Sequence, residues 1–305
     1  MKLPFQAFET WTNTRITIHL ILQIIGKVRL KSTPRKNHWW YITQYVSTKG
    51  FSTHPIPLND GINTFEIVFN IHKKAVELHH SQGEERIIPL HDGYSVSAFY
   101  KTIMGIIHEW GLQPKFINKP MDMGIDKPFS EITEYHHYDW KAIHEFWQMM
   151  LWVDGVLKEF SGRYYGKTCP VHLYWHHLDL TVTRFSGKTA PAMDAQARIS
   201  DKDAYSHEVI SFGFWAGDDN LPEPAFYSYT APSPAALDQE PLSPKAAFWM
   251  DAGGSPMAIL KYKDLLEDSD PRASLLAFLE SAYLAGAKLA KWDMEALKVP
   301  PLAQL

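Results

Sequence analysis

The sequence predicts an α+β fold with predominantly antiparallel sheets and long packed helices. Three observations predict it. Short stretches that alternate apolar and polar side chains recur with turn residues between them, the spacing of a meander. Several longer segments carry apolar residues at helical spacing over more than two turns. The two kinds of segment do not alternate regularly, as βαβ units would.

The first helix is expected from about Phe8 to Leu30. Trp11, Ile18, Ile21, Leu22, Ile25 and Val28 follow helical spacing, and Ile16, Leu20 and Ile24 widen the apolar face until the helix must be deeply buried. Pro34 ends it. An aromatic, β-branched strand is expected over His38–Thr48, then a half-buried strand in which Phe65, Ile67, Phe69 and Ile71 alternate with polar residues. Ala75–His80 and Arg86–Leu90 read as its meander partners. A second helix starts at the N-cap Ser95 and stops at Gly111, and a strand is expected near Lys115–Met121. After a connector over 124–138, Asp139 caps a helix striped by Phe146, Met149, Met150, Val153, Leu157 and Phe160.

Strands are then expected at Val171–Arg184, His207–Trp215, Ala225–Thr230, Ala246–Met250 and Met257–Lys261. Leu221–Pro244 holds six prolines and should contribute edge strands only. Asp270-Pro271 opens the last main helix as cap and first-turn proline. Both halves run helix, polar link, aromatic strand, meander, closing helix. This order points to a weak duplication about a pseudo-twofold axis, with convergence of element order as the alternative. The halves are taken as 1–123 and 124–305, packed as one globular unit with a cleft between them.

Composition bounds the function. Apolar residues make up 45% and charged ones 21%, so a globular core is within reach. The single cysteine, Cys169, excludes an intrachain disulfide and fits a reducing compartment. No signal-peptide pattern opens the chain, and Ile16–Ile25, interrupted by His19 and Gln23, is too short to span a bilayer. A cytoplasmic protein without membrane partners is expected. The net charge is −4, yet residues 1–50 carry eight Lys and Arg against one acid, Glu9. The basic density peaks at Lys27, Arg29, Lys31, Arg35 and Lys36, which either attracts an anion or is an ordinary solvated helix end. The basic stripe does not continue, so no nucleic-acid partner is expected.

Phosphate-loop, dinucleotide, nucleophile-elbow and zincin motifs are absent. Cys169 reads as a small buried hydrophobe. Three adjacent histidine pairs occur, but neighbours on a strand point to opposite faces. The apolar face switches at His176-His177, which predicts a bulge. A metal set built on His172, His176 or His177 and Asp179 lacks ligand spacing, so no metal and no cofactor are expected. Arg15, His19, Gln23 and Lys27 lie along one line of the first helix, as a solvent face or as a buried line requiring partners. Arg184, at an expected strand end before Phe185-Ser186-Gly187, is read as an anion receptor or as the partner of Glu208.

Asn37-His38-Trp39-Trp40, Thr183-Arg184-Phe185-Ser186-Gly187 and the segment Ser206 to Gly217 resemble hallmark segments of a bacterial family, domain-of-unknown-function family 5996. The likeness runs from Trp11 to Trp292. It implies no activity, cofactor or catalytic residue. Other members commonly lack the equivalent of His176-His177, which weakens a metal site there. The residues favour a small-molecule binding protein or enzyme with an aromatic-walled cleft that recognises a small anionic ligand. The expected lining is Arg15, His19, Asn37, Trp40, Arg184, Ser186, Glu208 and Trp215. The alternatives are a non-catalytic scaffolding protein and a metal-dependent enzyme.

Overall fold

A computed structural model describes residues 3–301. The chain forms α1 (Thr12–Ser32), β1 (Tyr45–Ser47), β2 (Gly50–Ser52), β3 (Ile56–Pro57), β4 (Thr64–Asn70), β5 (Ala75–His80), β6 (Glu85–Pro89), α2 (Val96–Glu109) and α3 (Trp140–Gly162). It continues as β7 (His172–Tyr174), β8 (Asp179–Thr189), α4 (Ile199–Ala204), β9 (His207–Trp215), β10 (Ala225–Ala231), β11 (Phe248–Asp251), β12 (Pro256–Lys261), α5 (Tyr262–Leu265) and α6 (Pro271–Leu289). The fold is α+β with two antiparallel sheets. No helix among the described residues is long and apolar enough to cross a membrane.

The chain divides into two compact units that interleave in sequence. The first takes the chain up to Lys36, Trp40–Leu151 and His172–Asp179. The second takes Asn37–Trp39, Trp152–Val171 and the chain from Leu180 onward. Asn37–Trp39 and His172–Asp179 each belong to a different unit from their sequence neighbours.

In the first unit the sheet order is β1-β2-β4-β5-β6, with β3 beside β4. Phe51, Phe69, Val76 and Ile88 stand in register as one buried row across four strands. α1 is buried on all sides: Ile18, Leu20, Ile21, Leu22, Ile24 and Val28 are fully enclosed, and so are Gln23 and Thr17. Its polar groups are therefore answered by backbone, because an unpaired buried amide or imidazole costs about 1–3 kcal/mol. His19 Nε2–H donates to the carbonyls of Trp175 (2.9 Å) and His176 (3.1 Å). Gln23 exchanges two 2.8 Å bonds with the backbone of Met121. Gln44 donates to the Leu22 carbonyl at 2.8 Å. Trp175 lies against Gly26 and donates from its indole to the Ile42 carbonyl at 2.9 Å.

In the second unit the sheet runs β11-β12-β10-β9-β8. Phe214, Phe226 and Leu260 form a buried cross-strand row. α6 packs on β9 and β10, its Gly286 close against Thr230 and Ile210. Asp270 caps α6 by accepting from the Ala273 N–H (3.0 Å), with Pro271 in the first turn, as the sequence indicates. Ser95 and Asp139 cap α2 and α3 likewise.

Five expectations are corrected. His38–Thr48 is not one strand: Asn37–Trp39 is a short helical turn with His38 and Trp39 left-handed (φ 58° and 60°), and the strand is only Tyr45–Ser47, with Gln44 in an isolated bridge before it. Residues 115–121 form a loop, because Pro120 lacks a ladder donor and the Met121 N–H is taken by Gln23. The face switch at His176-His177 is a turn between β7 and β8, closed by a left-handed Leu178 (φ 58°), rather than a bulge. β10 is interior, between β9 and β12; the prolines flank it without entering it. β8 does not end at Arg184 but runs on to Thr189.

A Cβ on residue 26 would lie 2.2 Å from the Trp175 ring. Gly26→Ala should therefore lower unfolding stability by about 1–3 kcal/mol, against the gain alanine brings to an open helix site. A urea melt with an unchanged midpoint would show that Trp175 is free to withdraw.

Candidate anion site in the first unit

Arg29 sits in the last turn of α1, and the burial of that helix draws its side chain inward to 6% exposure. Nη1 donates to the Thr53 carbonyl. That carbonyl is available because the ladder breaks there: the Ile67 N–H goes to Thr53 Oγ1 (3.0 Å). The guanidinium also hydrogen-bonds Tyr45 and lies 5.8 Å from its ring centroid. The Tyr45 ring stacks flat on His54, with centroids 3.9 Å apart. Ser32 follows Arg29 by three residues and so shares its side of the helix end, while Thr33, the C-cap, is already extended.

The Gln44–Leu173 pair exchanges backbone bonds of 3.0 and 2.7 Å. Antiparallel register then makes Tyr45 and His172 the next facing pair. His172 is 1% exposed. Burial, and secondarily the Arg29 charge, pushes its pKa down to about 3, so its imidazole is neutral near pH 7. Neither ring nitrogen has a hydrogen-bond partner, and the same holds for Arg29 Nε, Ser32 Oγ and Thr33 Oγ1. No carboxylate pairs with Arg29 among the described residues. The constellation combines one cation, a neutral donor–acceptor ring and hydroxyls. Buried polar groups of this kind take partners from water or a ligand.

The family described as "Family of unknown function (DUF5996)" matches residues 3–299. The chain belongs to this family. No curated protein and no solved structure matches it.

Most of the residues that carry the DUF5996 likeness, all but Trp40, belong to the second unit. The His38 ring lies 4.8 Å from Phe185 and 5.3 Å from His207. Its Nδ1–H donates to the Ala204 carbonyl (3.2 Å), which leaves Nε2 to accept from Lys167 Nζ (3.1 Å). Trp39 donates to the Ser200 carbonyl at 2.9 Å. Arg184, 1% exposed, donates to the Phe160 carbonyl (2.7 Å) and to Glu280 (3.3 Å), not to Glu208. Phe160, Tyr283 and Tyr164 surround its guanidinium at 3.6, 4.5 and 5.0 Å. It is an architectural cation in an aromatic box.

The other expected site residues fall as follows. Arg15, half-buried, stacks over Phe8 at 3.9 Å. His19 holds the 175–176 backbone. Asn37 is exposed and Trp40 half-buried. Ser186 accepts from the Lys188 N–H (3.0 Å). Trp215 packs on Tyr227, centroids 5.4 Å apart. Glu208 is half-buried, with Oε2 lacking a hydrogen-bond partner. Arg15, His19 and Trp40 belong to the first unit and Asn37, Arg184, Ser186, Glu208 and Trp215 to the second. Arg29 was legible as part of the basic peak and His172 as a histidine near the face switch. Tyr45 and Ser32 carried no sequence signal.

Three other features have the outline of a site. Glu77, His79 and Glu85 lie close enough for a metal, yet Lys73 Nζ already sits 2.5 Å from Glu77 and 3.6 Å from Glu85. Burial pushes the Cys169 thiol up to about 11, which removes it as a nucleophile at neutral pH. A polar cleft of about 570 Å³ opens beside residues 9–14, but its Asp92 and Asp139 are engaged by the backbone N–H groups of Tyr138 and of the first turn of α3.

Replacing Arg184 by Ala should cost about 3–5 kcal/mol, since the Phe160 carbonyl loses its donor and the aromatic box its filling. Equal urea midpoints for wild type and Arg184→Ala would contradict that role. Acid should act earlier than carboxylate protonation alone. Unfolded histidines take up protons near pH 6.5, whereas burial holds His19 at about 4 and His172 at about 3. The unfolded chain then binds more protons, so stability is full above about pH 6.5 and falls below it, by up to about 1.4 kcal/mol per pH unit for each histidine. Urea midpoints that stay level from about pH 7.5 to about pH 5 would refute this burial.

Proposed function

We propose that this protein is a small-molecule binder that takes an anionic group at Arg29. Tyr45, His172 and the Ser32 hydroxyl complete the site. The observation that carries the reading is a buried guanidinium with no carboxylate among the described residues, beside an imidazole with no partner at either nitrogen. A buried charge left uncompensated is expensive, by several kcal/mol in a dry setting, and a bound anion is the direct remedy. The Tyr45–His54 stack supplies an aromatic wall. The half-buried Tyr45 and Ser32 place the site within reach of solvent. The constellation holds no carboxylate base and no thiol, which favours binding over covalent chemistry. A cytoplasmic setting agrees with the single, buried cysteine.

Mass spectrometry of small molecules released from the purified protein should recover an anionic compound. Arg29→Lys keeps the charge and a donor for the Thr53 carbonyl but loses the fork. It should leave stability within about 1 kcal/mol and weaken anion binding by roughly 10- to 100-fold, the worth of one charge-assisted pair. Undiminished recovery of the same compound from Arg29→Lys would remove Arg29 as its receptor.

A further inference from the structure

How much negative charge the Arg29 site tolerates is set by the groups around the guanidinium. We infer that the group accepted at Arg29 is a carboxylate, a planar single anion, rather than a phosphate or sulfate. The inference rests on the anion-binding reading and goes beyond it in three respects.

First, Arg29 is the one cation of the constellation. The Thr53 carbonyl meets it, the Tyr45 ring and the uncharged His172 ring lie beside it, and Ser32 shares its side of the helix end. One guanidinium balances one negative charge; a dianion would bring a second charge into a buried setting with nothing to meet it. Second, the site lies at the C-terminal end of a 21-residue helix, where the Thr33 N–H bonds the Arg29 carbonyl. That end carries about half a negative charge. Phosphoryl groups are favoured at the opposite, N-terminal, end of helices. Third, the open hydrogen-bonding positions are few and directional. Arg29 Nη1 is engaged by Thr53, while Nε, on the other edge of the fork, has no partner. A guanidinium edge meets the two oxygens of a carboxylate in one plane. His172 offers one donor and one acceptor, so one of its nitrogens presents a lone pair that would repel further anionic oxygens.

The test is a titration of the full-length protein, labelled with ¹⁵N at histidine, with sodium acetate, sodium benzoate, sulfate and inorganic phosphate at constant ionic strength near neutral pH. Acetate and benzoate should move the His172 ring resonances, assigned by His172→Gln. Both should bind at least roughly tenfold more tightly than sulfate or phosphate. In Arg29→Lys the carboxylate shifts should need about tenfold more ligand or more. Sulfate or phosphate binding as tightly as acetate, with the same dependence on Arg29, would overturn the carboxylate assignment and leave the anion site standing. Resonances unmoved by all four salts would overturn both.

Discussion

The first unit depends on one constraint: α1 is enclosed on all sides, yet it is not wholly apolar. A helix buried this way satisfies its own backbone, but His19, Gln23 and Arg29 must find partners inside the protein. Each does so by taking hold of backbone that is not in a ladder. His19 fixes the turn after β7, Gln23 fixes the loop at Met121, and Arg29 fixes the chain where β2 leaves β4. Irregular segments far apart in sequence thereby acquire defined positions. Gly26 serves the same end sterically, since the Trp175 ring fills the space its missing side chain leaves.

The two buried arginines show how differently one residue type can be accommodated. Arg184 has a carbonyl, a carboxylate that is 31% exposed, and aromatic faces on several sides. Its charge is distributed over groups the fold supplies. Arg29 has a carbonyl and a phenol but no carboxylate, and its neighbours include a ring with both nitrogens idle. A protein built only for stability would place an acid or an apolar side chain there. Nε is without a hydrogen-bond partner in both, so the two differ in the carboxylate that Arg184 has and in the idle ring beside Arg29, and it is on that difference that the proposed function rests.

Much of the fold was legible in the sequence because its signals are local. Ser95, Asp139 and Asp270 act at caps through bonds to residues two or three positions on, and β9 spans the expected His207–Trp215. Errors arose where a distant partner decides. His38 and Trp39 look like strand residues, but their left-handed backbone is held through Ala204, Ser200 and Phe185. The change of face at His176-His177 was visible; that a leucine would adopt positive φ there to make a turn was not. The site was half legible. A basic helix end reads as solvated until the helix is known to be enclosed, and the pairing of Tyr45 with His172 depends on a single bridge between residues 44 and 173.

The interleaving of the units has a consequence for synthesis. His19 and its partner Trp175 are separated by 156 positions. At ribosomal speeds of about 5–20 residues per second, α1 leaves the exit tunnel roughly 8–30 seconds before the backbone that answers its polar groups. Throughout that interval a nearly continuous apolar helix, with Gly26 as an open notch along its side, has no native cover from residues 172–179. The first unit cannot close as a nascent chain until more than half of the protein has been made. Its order of assembly is therefore set by the late emergence of one eight-residue segment rather than by the early helix it completes.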